Sequence, residues 1–193
     1  MFNVLLAGVG GQGTVLASRL IAGAAMARGD IAHTAETIGM AQRGGSVVSH
    51  VRIGEGASSP LIPHGAADTL IGFEPAEAVR ALPYLKAGGT VVVCTTAVKP
   101  VTDALNDSGY EAATMLNFLK QQNLRLFTVD GDAMIAACGT AKALNIALLG
   151  AAAAADAIGV SAAELQTVVE GLNPRFREAN LKALALGAAS VTE

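Results

Sequence analysis

Charge is what this sequence has least of: Asp, Glu, Lys and Arg make up 15% of its 193 residues, against 52% hydrophobic, where globular chains average about 25% charged. So few charged side chains leave a surface that is expected to be partly buried against another subunit. A basic excess is absent as well. The net charge of −3 excludes the positive field a nucleic-acid binder needs, and no basic amphipathic stretch suits a membrane surface. Long apolar runs are missing: the longest, Ile146 to Ala155, is far short of the ~20 residues that span a bilayer. No basic leader precedes the first glycine turn, so a cytoplasmic protein is expected.

Cysteine is scarce, with only Cys94 and Cys138 in the apolar contexts VVVC and MIAACG. Both read as small core residues, and a disulfide is not expected. An ordinary iron–sulfur cluster takes four thiolates, which this chain alone does not supply. The histidines at 33, 50 and 64 show no HxxxH spacing or paired carboxylate. They read as surface groups rather than ligands, and no metal site is expected.

What is present is an alternation of strand and helix patterns. Met1 to Ala7 is a short apolar run ending in glycines, and TVLASRLIAGAAMARG follows with Leu16, Leu20, Ala24 and Ala27 at helical spacing. Ile31 to Glu36 reads as a short strand and Thr37 to Gly45 as a glycine-rich loop. SVVSHVRI alternates, with Val47, Val51 and Ile53 on one face and Val48, His50 and Arg52 on the other. After Gly54-Glu55-Gly56, the SSPLIP segment is expected to return as its antiparallel partner.

ADTLIGF, EPAEAVRALPYL and GGTVVVCTT then read as strand, helix and strand, which implies a parallel crossover. Asp103 to Gln122 is predicted helical, with a possible break at Gly109, and LRLFTVDG is the last strand, with Asp130 and Asp132 in a turn. Three helices close the chain: TAKALNIALLGAAAAADA, then SAAELQTVVEGL with Ser161 and Glu164 as a capping box, then NPRFREANLKALALG opening on Pro174. The fold class is therefore α/β: a Rossmann-like three-layer domain over residues 1–193, with a mostly parallel sheet, one antiparallel hairpin and a helical C-terminal part.

Gly8, Gly10 and Gly13 satisfy GxGxxG after a strand and at the start of a helix, where backbone N–H groups and the helix dipole favour a phosphate. Glu36 lies 23 residues beyond Gly13, where a dinucleotide enzyme holds a ribose hydroxyl. A free-standing NAD or FAD oxidoreductase is thus one reading. Glycines that merely allow close helix–strand packing are another. Against the first, Gly11-Gln12 adds a glycine and an amide, and a polar loop follows Glu36 instead of a crossover helix. In that loop Arg43 can fork onto a phosphate or carboxylate, and Gly44-Gly45 lets backbone approach closely. A solvated loop with a hairpin is the plainer alternative.

GVGGQG followed by ETIGMAQRGGSVVSHVRIG resembles the small (beta) subunit of indolepyruvate:ferredoxin oxidoreductases, in the 2-oxoacid:acceptor oxidoreductase family with its gamma-type domain. The resemblance implies a subunit of an oxidoreductase that decarboxylates a 2-oxo acid, an aryl pyruvate from an aromatic amino acid, to an acyl-CoA, with ferredoxin taking the electrons. It implies a large (alpha) partner subunit carrying thiamine diphosphate, magnesium and the iron–sulfur clusters, with none of these held firmly by this chain. Gly131-Asp132-Ala133 only half resembles a diphosphate motif, and Asn145 follows too soon to complete it.

By the same resemblance Gly8, Gly10, Gly11, Gln12 and Gly13, with Arg43, Gly44 and Gly45, would approach a coenzyme A phosphate or the partner's cofactor. Gln42, Arg43 and His50 would line the shared active site, without an assigned catalytic role. Where pyruvate-type relatives have a KSGG-like stretch, this sequence has Gln42-Arg43-Gly44-Gly45. A non-catalytic regulatory subunit remains the third reading.

Overall fold

A computed structural model describes residues 1–57, 59–98 and 109–191. Six strands form one sheet: β1 (Phe2–Val9), β2 (Ala32–Glu36), β3 (Ser46–Ile53), β4 (Ala67–Gly72), β5 (Leu85–Cys94) and β6 (Arg125–Val129), in the order β2-β3-β1-β4-β5-β6. Strands β1, β4, β5 and β6 run parallel. Seven helices accompany them among the described residues: α1 (Thr14–Ala27), α2 (Pro75–Ala81), α3 (Ala112–Lys120), α4 (Gly131–Cys138), α5 (Leu144–Ala154), α6 (Ala162–Glu170) and α7 (Arg177–Ala189).

The strand pleat sorts side chains onto two cores. On one face Val4 and Leu6 of β1 join Val51 and Ile53 of β3 and the apolar sides of α1, α5, α6 and α7. On the other, Leu5, Ala7, Leu70 and Val91 meet Ala78 and Ala81 of α2 and Leu119 of α3. Helices thus cover both faces, giving the three layers expected. No single helix among the described residues is long and apolar enough to cross a membrane.

The antiparallel element differs from expectation. β3 lies between β2 and β1 and runs against both, with Val4 opposite Val51 and Thr34 opposite the same residue. The hairpin is therefore β2–β3, closed by the loop from Thr37 to Gly45, and not a return by SSPLIP. In that segment side chains, not a ladder, satisfy the backbone: Arg52 Nη1 donates to Ser59 O (2.7 Å) and Leu61 O (3.2 Å), and Ile62 N–H donates to His50 Nδ1 (3.2 Å). Ile62 is buried as the anchor. These contacts take up backbone groups of Ser59, Leu61 and Ile62 that a partner strand would otherwise use.

Other departures are local. Asp130 is not a turn residue but the N-cap of α4, its carboxylate accepting from Ala133 N–H (3.0 Å), and Gly131-Asp132 opens that helix. Cys94 is fully buried, and burial pushes its thiol pKa up; Cys138 is only half-buried. The helix predicted over 103–122 is observed as α3 from Ala112, residues 99–108 lying outside the described residues. The capping box at Ser161 and Glu164 forms in full. Pro174 opens a short 3-10 turn that leads into α7.

Candidate functional site

β1 ends at Val9, and the chain must turn sharply into α1. Gly11 (φ 104°) and Gly13 (φ 87°) take the left-handed conformations this turn requires, which cost an L-residue about 1 kcal/mol or more. The glycines then diverge in role. A Cβ on Gly8 would lie 2.8 Å from both Gln12 Oε1 and Phe73 Cβ, and one on Gly10 would lie 2.2 Å from Ala41 O. These two are glycines for packing. Gly11 faces open space and is exposed.

Gln12 lines the larger cavity beside the turn, and its amide is anchored to backbone. Its Oε1 accepts from Val9 N–H (2.7 Å) and its Nε2 donates to Phe73 O (3.0 Å), so the side chain brackets the C-terminal ends of β1 and β4. Both halves of the amide are committed, and Gly8 is small to make room for it.

The second sequence segment is brought directly onto the first. Gly10 N–H donates to Gly45 O (2.8 Å) and Gly44 N–H donates to Gly10 O (3.1 Å), a two-bond clasp between segments 35 residues apart. Gly44, at φ 86°, faces open space, and Gln42 and Arg43 are exposed beside it. The Arg43 side chain makes no hydrogen bond or ion pair among the described residues, leaving its guanidinium available.

His50 is placed elsewhere. It is paired with Leu5 in the middle of the sheet, 8% exposed, on the α2 face, with its ring edge-on to Tyr84 at 5.8 Å. The structure thus corrects two expectations: His50 is no surface group, and it does not join Gln42 and Arg43 at the sheet end. The physical reason is the register, which points it at Ile62 and not along the strand. Of the other histidines, His64 is exposed and packs on Tyr84, and His33 is half-buried. Among the described residues no group of three His, Cys, Asp or Glu is arranged to hold a metal ion.

Burial lowers the His50 pKa below its usual 6.5. A neutral ring in the fold and a titrating ring in the unfolded chain make stability rise with pH. The His50 contribution is full above pH 6.5 and is lost as pH falls below it. Urea midpoints measured from pH 7.5 to 5.5 should therefore decline, and His50→Gln, which keeps an acceptor for Ile62 N–H, should flatten that slope. A slope unchanged in the variant would remove His50 as its source.

A cavity of about 220 Å³ opens on the β3 side of the turn, lined by Gly11, Gly13, Thr14, Thr37, Gln42 and Ser49. Sequence reasoning anticipated the helix amides here but missed the Ser49 hydroxyl. α1 has no side-chain N-cap and no acidic residue in its first turn, so the amide N–H groups of Thr14 and Val15 keep their hydrogen-bonding capacity for an outside acceptor. Ser49, 1% exposed, has an Oγ with no partner. An orphaned buried hydroxyl costs roughly 1–3 kcal/mol unless something completes it. Its only sequence signal is a small polar residue on the otherwise apolar core face of β3. A larger cavity of about 460 Å³ flanks the turn on its other side, against Leu16, Leu144, Lys142 and Asn145.

The dinucleotide reading loses its geometry here. In a dinucleotide fold the acid closes the strand next to β1, whereas β3 intervenes between β1 and β2, setting Glu36 two strand spacings, about 10 Å, away. Its carboxylate is engaged by Ser18 Oγ (3.4 Å) and Arg19 Nε (3.7 Å). What remains is a turn and a loop, clasped together, offering free amides and one free guanidinium to an anion.

Comparison with known proteins accords with that shape. Residues 3–190 match the family described as pyruvate ferredoxin/flavodoxin oxidoreductase. Indolepyruvate oxidoreductase subunit IorB of Archaeoglobus fulgidus is 36% identical over 188 residues, covering 96% of this chain and 92% of that protein. The gamma subunit of a keto/oxoacid ferredoxin oxidoreductase from Geobacter sulfurreducens superposes with a TM-score of 0.72 at 23% identity, over 98% of each chain. In the 2-oxoglutarate:ferredoxin oxidoreductase of Magnetococcus marinus, solved with 2-oxoglutarate, coenzyme A and succinyl-CoA, the same fold (TM-score 0.70, 19% identity) covers 97% of this chain and 30% of that longer one. The chain therefore belongs to the pyruvate ferredoxin/flavodoxin oxidoreductase family, as an oxidoreductase subunit.

Proposed function

We propose that this chain, acting as one unit over residues 1–193, is the small subunit of an indolepyruvate-type 2-oxoacid:ferredoxin oxidoreductase. The complex oxidatively decarboxylates an aryl 2-oxo acid: carbon dioxide leaves, two electrons pass to ferredoxin, and the acyl group is bonded to the sulfur of coenzyme A. The observation that carries this reading is the full-length likeness to indolepyruvate oxidoreductase subunits. The work is done in the cytoplasm with a large partner subunit. Iron–sulfur clusters belong on that partner, because two cysteines are too few thiolates for one, and thiamine diphosphate and magnesium are assigned there with them.

Coenzyme A does fit. Its phosphates suit the amides of Gly11, Gly13, Thr14 and Val15, with the Ser49 hydroxyl completing a hydrogen bond in the cavity they line. When bound, coenzyme A supplies the thiol that accepts the acyl group. This chain's residues bind and orient it, while Gln12 holds the turn in place from behind.

The test is reconstitution. The large subunit with this chain should reduce ferredoxin with indolepyruvate and coenzyme A, and Ser49→Ala should raise KM for coenzyme A roughly tenfold, the worth of one hydrogen bond to a charged group, with kcat held. A stable monomer of this chain, together with a large subunit fully active without it, would sink the proposal.

A further inference from the structure

Between β2 and the clasp, the loop carries two large apolar side chains into solvent: Ile38 is 85% exposed and Met40 78%. Such side chains are ordinary when single, but these two stand two residues apart on a loop whose backbone is hydrogen-bonded at both ends. Thr37 fastens the start of the loop, its N–H donating to Val48 O (2.9 Å) and its Oγ1 accepting from Val48 N–H (2.9 Å). Gly39, at φ 112°, turns the chain between the two side chains, and a 3-10 turn over Met40–Gln42 follows, with Arg43 N–H donating to Met40 O (3.0 Å). The far end is held by Gly45 N–H to Ala41 O (2.9 Å) and by the clasp to Gly10.

A loop so tied at both ends pays little ordering entropy on association, which is what lets a few apolar anchors dominate an interface. Its charge is one-sided as well. From Thr37 to Gly54 the sequence holds Arg43 and Arg52 and no carboxylate, and Arg52 is occupied with Asn3, Ser59 and Leu61, leaving Arg43 as the free cation beside the apolar pair.

We infer that Ile38 and Met40 form a preset prong that inserts into an apolar depression with a carboxylate at its rim on the large partner subunit, Arg43 meeting that carboxylate. This rests on the reading of the chain as a small subunit, and it adds where the subunit is anchored. The prong springs from the same loop as the clasp, so seating it brings Gly10, Gly44 and Gly45 to the partner in a fixed orientation.

The experiment titrates the purified full chain into the tagged large subunit and reads the dissociation constant. Ile38→Asp with Met40→Asp should weaken binding by about a thousandfold, thirtyfold for each anchor, while the isolated variant keeps the wild-type circular dichroism and melting temperature. Ile38→Leu should bind as wild type. A double variant that binds with wild-type affinity overturns the prong and leaves the small-subunit reading standing. A wild-type chain that binds no large subunit overturns both. A wild-type chain that dimerises by itself, with the double variant monomeric, assigns the prong to a second copy of this chain and overturns the inference.

Discussion

Gly10→Ala is expected to cost the reconstituted enzyme about a hundredfold in turnover, the penalty for shifting a binding element by roughly an ångström. The added Cβ would lie 2.2 Å from Ala41 O, 2.4 Å from Gln42 C and 2.6 Å from Gln42 O. All three are backbone atoms, so no side chain can swing aside. The loop must move, and both bonds of the clasp, Gly10 N–H to Gly45 O and Gly44 N–H to Gly10 O, go with it. Stability should fall by about 2 kcal/mol from the overpacking. The instructive comparison is Gly11→Ala, where space is open but φ is 104°. That change strains one residue by about 1–2 kcal/mol and leaves the clasp intact, so it should lower turnover far less. Equal losses in the two variants would show that the turn matters only for its conformational freedom and not for the contact with the loop.

Gly187→Ala should destabilise the chain by roughly 2–3 kcal/mol, opposite in sign to the ~1 kcal/mol gain that alanine brings to an ordinary helix interior. The reason is the approach of α7 to α5. A Cβ at Gly187 would fall 1.9 Å from Ala147 O, and one at Gly150 would fall 2.1 Å from Leu184 O. The two helices thus meet backbone to backbone through a reciprocal pair of glycines, and adding either methyl forces them apart along with the Ala151, Ala152 and Ala183 packing in the main core. For a chain of this length the melting temperature should drop about 5–10 °C. Coenzyme A affinity should stay near wild type, since neither glycine lines the cavity beside the turn. A raised melting temperature would mean that the helices separate without cost and that their close contact is incidental.

These two substitutions mark where sequence reading reaches its limit. The alanine-rich stretch around α5 declares a helix through its composition, and the strand–glycine–helix order of β1 and α1 is written in local periodicity. Nothing in either segment says which glycine touches another backbone. Gln12 makes the same point at the site: an amide in a glycine turn reads equally as a ligand contact or a bracket. Only the positions of Val9 N–H and Phe73 O decide for the bracket. Ser49 is the converse, a residue with no motif around it whose significance lies in an Oγ that the folded chain leaves unpartnered.

The family entered through the resemblance of GVGGQG and ETIGMAQRGGSVVSHVRIG, whereas local pattern by itself determined the α/β class, the order of most elements and the capping box at Ser161. Each of these is a matter of local chemistry or short-range period, which a single chain segment carries within itself. The tertiary structure alone decided that β3 threads between β2 and β1, that Glu36 is thereby displaced from the turn, that His50 is buried away from the sheet end, and that Gly10 and Gly45 are bonded to one another. Those are outcomes of register and of contacts between residues far apart in the chain. They are set by how two faces of one sheet share out the available apolar surface, and no local pattern encodes that division.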